Sequence, residues 1–179
     1  MTDPRDFAST ETLRDGLVVT IRHLRAADRE RIALAVRQLD PESIYTRLFS
    51  YRNELTDAGL DRIMHVDPES EVALVATTRS GNDEIVIGSG RYVLTHEAGE
   101  ELAAEVAFLV EEDYQGRGIA TRLLKNLVRI ARDQGIATFE ADVLAGNQSM
   151  LAVLARSGLP MKKRRDGGAT HVVLGLRDA

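Results

Sequence analysis

The sequence predicts a mixed α/β domain, built on a mostly antiparallel central sheet with helices on both faces. Three observations carry that expectation. Residues 71–77, 84–94 and 101–111 alternate or run apolar with the period of strands and follow one another as a meander. Residues 118–134 carry apolar pairs at 119/120, 123/124, 127/128 and 130/131, the spacing of a strongly amphipathic helix. That helix sits between two strands, and a strand–helix–strand crossing after a meander puts a parallel pair into an otherwise antiparallel sheet.

Taken in order, MTDPRDFASTETLRDG has no apolar periodicity and reads as a tail over residues 1–16, whose removal at Gly16 should be tolerated. The domain proper is expected over residues 17–179. Leu17–Leu24 is rich in β-branched residues and predicts a strand. Asp28 is placed to cap a helix running to about Gln38, with Ile32, Leu34, Ala35 and Leu39 as its apolar side. Asp40-Pro41-Glu42-Ser43 restarts a helix, proline being suited to a first turn, and Ile44, Tyr45, Leu48 and Phe49 keep helical spacing. A short helix follows over Asp57–His65. Ser80-Gly81-Asn82-Asp83 is the turn between the first two meander strands, and a loop around Gly99 leads to the third. Gly135 ends the long helix. A strand is then expected over Phe139–Leu144, a helix over Asn147–Arg156 stopped by Gly158, and a final strand or pair through His171–Leu176.

Composition narrows the function classes. At 179 residues the chain is about one domain and large enough for a core without staples. It has no cysteine, which excludes disulfides, thiolate metal sites and a cysteine nucleophile, and fits a reducing, cytoplasmic setting. A net charge of −5 argues against general nucleic-acid binding. No apolar run approaches the ~20 residues of a membrane span. The four histidines (His23, His65, His96, His171) lack metal-ligand spacing, so no metal is expected.

The chemistry is concentrated in Val110-Glu-Glu-Asp-Tyr-Gln-Gly-Arg-Gly-Ile-Ala-Thr121, where a strand ends, two glycines follow and a long helix begins. Free N–H groups at a helix start hold anions, and glycine lets backbone approach a ligand. Arg117, Arg122, Lys125, Arg129 and Arg132 make the segment basic. A phosphate-bearing ligand is one reading; a glycine-containing strand–helix turn that binds nothing is the other. The Walker pattern is missing, and the dinucleotide fingerprint fails at Thr121, its third glycine position.

Gln115-x-x-Gly118-x-Ala120 resembles the Gln/Arg-x-x-Gly-x-Gly/Ala signature of the GCN5-related N-acetyltransferases. The preceding strand EVAFLV and the later segment NQSMLAVLARSGL, similar to that family's asparagine helix, extend the likeness over about Leu17–Leu176. The resemblance implies that fold and acetyl-CoA as co-substrate. It implies backbone pairing of pantetheine with Phe108, Leu109 and Val110, and a pyrophosphate cradle from Gln115, Gly116, Arg117, Gly118, Ile119, Ala120 and Thr121. Asn147 would lie near the pantetheine where two strands splay, and it is also a suitable helix N-cap. Glu105 matches the catalytic glutamate of bacterial protein-lysine acetyltransferases, while Glu111 and Glu112 lie nearer the loop as second choices. The family's tyrosine acid, seven residues after the asparagine, is replaced by Leu154.

Acyl transfer needs a neutral amine, and a lysine of pKa ~10.4 is only about 0.04% neutral at pH 7, a handicap of roughly 4.6 kcal/mol. A carboxylate such as Glu105, directly or through water, can take the ammonium proton as the amine enters. Alternation places Glu105 with Ala107 and Leu109, opposite Val106 and Phe108. Segment Asp40–Glu71 has five more acids than bases, which suits a cationic acceptor or is an ordinary solvated face. The run LDPESIYTRLFS resembles a segment of the same lysine acetyltransferases, implying a protein lysine on a metabolic enzyme as acceptor. A polyamine, aminoglycoside or amino acid is the enzymatic alternative, and an acyl-CoA sensor without turnover the non-enzymatic one. A homodimer is compatible with all three.

Overall fold

The computed structural model describes residues 4–39, 56–95 and 101–177. Eight strands form one sheet: β1 (Ala8–Thr12), β2 (Val18–His23), β3 (Glu71–Ser80), β4 (Asp83–Thr95), β5 (Ala103–Val110), β6 (Thr138–Leu144), β7 (Met161–Asp166) and β8 (Ala169–Gly175). Their spatial order is β1-β2-β3-β4-β5-β6-β8-β7. Every neighbouring pair is antiparallel except β5–β6. The α-helices are α1 (Arg29–Arg37), α2 (Asp57–Met64), α3 (Ile119–Asp133) and α4 (Gln148–Ala155). The mixed, mostly antiparallel expectation is met. Among the described residues no helix is long and apolar enough to cross a membrane.

The hydrophobic pattern sorts these helices to two faces. Leu123, Leu124, Leu127, Ile130 and Ala131 of α3 pack with Leu154 of α4 on Val106, Phe108, Phe139 and Leu174 of the sheet. This is the main core, and it uses the apolar pairs that mark the helix in the sequence. On the opposite face Ile32 and Val36 of α1, with Leu60 and Ile63 of α2, cover Ala73, Val75 and Val86. Strand β3 is therefore buried on both sides, which explains its unbroken apolar run. Beyond β4 on the α1 face, Glu105 and Ala107 are exposed.

Three expectations need correction. Residues 8–12 of the supposed tail form the edge strand β1, paired in register with β2 from Ala8↔Arg22 to Thr12↔Val18. Its Ser and Thr residues gave no apolar alternation because an edge strand can be polar; Thr10 and Thr20 hydroxyls instead pair across it at 3.0 Å. Leu13 is buried, so the lead-in contributes to the core. Second, Asp28 stands at the N-cap position of α1 but makes no side-chain cap bond; its carboxylate is taken by Arg22 and by the backbone N–H of Arg25. Third, Leu34, read as part of the apolar side of α1, is 57% exposed. The helix expected from Asp40 lies outside the described residues.

Candidate active site

Strand β5 supplies the first part of the site. Its burial alternates as the sequence implies, with Ala104, Val106, Phe108 and Val110 in the core and Glu105 and Ala107 exposed. Phe108 can lie flat on β4 because Gly90 opposite it has no side chain; a Cβ there would stand 3.0 Å from the Phe108 ring and 3.1 Å from Leu127.

The parallel ladder between β5 and β6 is short. It runs only from Ala103↔Thr138 through Ala104↔Phe139 to Glu105↔Glu140. Past that point β5 continues through Phe108, Leu109 and Val110 without β6 beside it, so the two strands open a gap in the sheet. Asn147 caps α4 just beyond β6: its Oδ1 accepts from the backbone N–H of Met150 at 3.2 Å and from the Ser149 hydroxyl at 3.1 Å. Of the two roles open to Asn147, the cap is the one this geometry carries.

After Val110 a single 3-10 turn (Glu112–Tyr114) leads into the glycine loop. The Gln115 amide donates to the Val110 carbonyl at 3.2 Å, tying the loop to the strand end. Gly116 and Gly118 adopt φ of 72° and 90°, the left-handed region that favours glycine. Gly118 is the N-cap of α3, and no side chain caps the helix there. Space around both glycines is open. Ile119 is buried and anchors the first turn, Ala120 is half-buried, and Thr121 is exposed. Arg117 is exposed, its guanidinium 5.1 Å from the Tyr114 ring centre and 3.5 Å from Asp15. An uncapped helix start behind two left-handed glycines fits a diphosphate, so the residues present suit the phosphate end of acetyl-CoA.

Between α1 and β3–β5 lies a cleft lined by Ile32, Val36 and Val75, with Ser89, Arg91, Leu109 and Glu111 also on its wall. Arg91 donates to the Ile63 carbonyl and so ties β4 to α2. Burial pushes the Glu111 carboxyl above its ordinary range, and the neighbouring Asp113 and Glu112 charges push the same way. The wall formed by α1 is fixed from below. Arg22, 4% exposed, forms a two-pronged pair with fully buried Asp28 at 2.8 Å on each prong and also reaches Glu84 at 2.8 Å. Arg31 of α1 joins the same carboxylates.

Leu154 is buried in the core, so the position of the usual tyrosine acid holds no proton donor. Sequence reasoning missed a different group. His171 on β8 is hydrogen-bonded through Nδ1 to Asp142 Oδ1 at 2.8 Å, with Glu140 Oε2 3.7 Å from Nε2. The i, i+2 spacing of Glu140 and Asp142 marks them as one face of a strand. Only the β6–β8 register brings His171 to them, and a single sequence does not reveal register.

Residues 19–160 match the family model described as acetyltransferase (GNAT) domain. The chain is 32% identical over 163 residues to Acetyltransferase PA5475 of Pseudomonas aeruginosa, covering 91% of this chain and 86% of that protein. It is 34% identical over 146 residues to Acetyltransferase Pat of Mycolicibacterium smegmatis, covering 82% of this chain and 42% of that longer protein. The solved GNAT domain of S. lividans PAT superposes with a TM-score of 0.81 at 32% identity, covering 94% and 96% of the two chains.

Proposed function

Because the chain belongs to the GNAT acetyltransferase family of acyl-CoA-dependent enzymes, we propose that it transfers acetyl directly to a lysine side chain of a protein, with Glu105 as general base. The observation that carries this reading is the exposure of Glu105 on the open part of the sheet, at the last rung before β5 and β6 part. Among the described residues Glu105 is exposed beside the α1 cleft, which suits a lysine presented by a large partner; a small amine is better served by a base enclosed in a pocket. The similarity to Acetyltransferase Pat and to the PAT domain supports acetyl transfer as the reaction.

Bound acetyl-CoA would supply an acetyl thioester, whose thiol leaving group departs readily. The N–H groups from Gln115 to Thr121 would hold its diphosphate, and the backbone of Phe108, Leu109 and Val110 would face its pantetheine arm. A backbone N–H of that strand would donate to the oxygen on which charge develops. Glu105 takes the proton from the incoming ammonium and releases a nucleophilic amine. With no cysteine in the chain to carry the acetyl group, attack occurs directly with both substrates bound.

One feature favours a second reading, a sensor that binds acyl-CoA without turnover: the position of the usual acid is an apolar core residue, Leu154. Thiol release from acetyl-CoA, followed with a panel of acceptor proteins and small amines, separates the readings. Glu105→Gln is expected to lower kcat at neutral pH by about 100-fold while leaving the KM for acetyl-CoA unchanged. A wild-type pH–rate profile retained in that variant would remove Glu105 from the mechanism.

A further inference from the structure

Acetylation of an ammonium removes two N–H protons for each amide N–C bond formed. One ends on the sulfur as the thioester C–S bond breaks, and the other must reach water. If Glu105 receives that second proton, it has to lose it before the next turnover. Once a protein acceptor sits over the sheet face, direct contact between Glu105 and bulk water is restricted.

Glu105 lies next to Glu140 in the parallel ladder, and residues in register share a face. Glu140 is followed across the next strand by His171, 3.7 Å from Nε2 to Oε2, a separation that a small rotation closes to hydrogen-bond distance. Asp142 accepts from Nδ1–H at 2.8 Å, which fixes the tautomer and leaves Nε2 free to take a proton from the Glu140 side. Arg164 of β7 stands in register with His171 on the same face, and Lys162 lies diagonally from it, so the imidazole has two carboxylates on one flank and two cations on the other. The side chain of His171 is 29% exposed, so a proton arriving there can pass on to water.

Building on Glu105 as the base, we propose that Glu140 and His171 form the exit route for its proton, with Asp142 orienting the imidazole. Glu105–COOH gives its proton to Glu140 and returns to carboxylate, Glu140 passes it to Nε2, and the imidazolium loses it to water. His171 acts through Glu105 and touches neither substrate.

The full-length protein tests this in two ways. With carbon-13 labels on the carboxyl groups, NMR of the free protein should show the Glu105 carboxyl resonance displaced in His171→Gln. An unchanged Glu105 resonance in that variant overturns the route. In turnover, on an acceptor that supports thiol release, His171→Gln should lower kcat roughly tenfold with both KM values unchanged and alter the pH profile. Added imidazole should restore His171→Ala, a recovery that a packing defect would not show. Loss of activity in Glu105→Gln together with full activity in His171→Gln sinks the relay alone. Full activity in Glu105→Gln sinks the base assignment and the relay with it.

Discussion

Asp28 is a carboxylate with no solvent exposure, and its surroundings decide what it contributes. Burial alone would raise its proton affinity, but the Arg22 guanidinium, the Arg25 backbone N–H and the charge of Arg31 hold it below the usual carboxylate range. Glu84 is held low in the same way, burial being outweighed by Arg22, Thr77 and Arg31. Both groups bind protons less readily folded than unfolded. Their stabilisation is therefore complete above the ordinary carboxylate pKa of ~4 and is lost as pH falls below it. Removing one partner strands a buried charge, so Asp28→Ala is expected to cost about 3–5 kcal/mol in urea unfolding and to flatten the acid limb of the stability curve. A cost under 1 kcal/mol would mean that water reaches Arg22 in the variant. Glu111 carries the opposite shift: burial, with the Asp113 and Glu112 charges, raises its proton affinity.

At the level of elements, those with a core-facing pattern were legible: α3 from its apolar pairs, β3 and β4 from their runs, and α4 from Asn147 and Gly158. The edge strands were not. The sequence MKKRRD of β7 has no apolar alternation, and its strand form follows from pairing with β8 between Met161↔Leu174 and Asp166↔Ala169. Strand β1 was hidden for the same reason, and its recovery reverses the expectation about truncation. Deleting residues 1–16 removes buried Leu13, the β1 ladder and the Glu11–Arg122 ion pair that reaches α3. Losing the Leu13 side chain alone should cost about 2–5 kcal/mol, seen as a clear fall in Tm; an unchanged Tm would restore the tail reading. Of the site, the glycine loop and Glu105 could be read from motif and alternation, whereas the Arg22–Asp28–Glu84 and Asp142–His171 groups depend on register. Gly118→Val forces a branched residue to φ of 90°, so it should cost about 1–3 kcal/mol in stability. The same variant should weaken acetyl-CoA binding in calorimetry at least tenfold, and wild-type affinity would refute the cradle.

On the scale of the molecule, charge and topology both divide it. The segment around α2, which lines the α1 cleft through Ile63, carries Asp57, Asp67, Glu69 and Asp61, the last paired with Arg29, while the helix behind the glycine loop is basic. With a cationic acceptor, kcat/KM should fall several-fold as salt rises past the ~0.1 M at which screening reaches ~10 Å. Steady-state rates with a neutral-flanked acceptor peptide give the control, and equal salt slopes for both would mean that the acids play no part in steering. Topology divides the sheet between β5 and β6, where the antiparallel meander β1 to β5 and the antiparallel group β6-β8-β7 are joined by three residue pairs. The chain starts at one outer edge, in β1, and ends after β8, beside the other. Tension applied between the chain ends must therefore cross that three-rung seam and the α3 crossover that bridges it. A ligand lodged in the gap would act as an extra stitch, and force spectroscopy would read its occupancy as a higher rupture force.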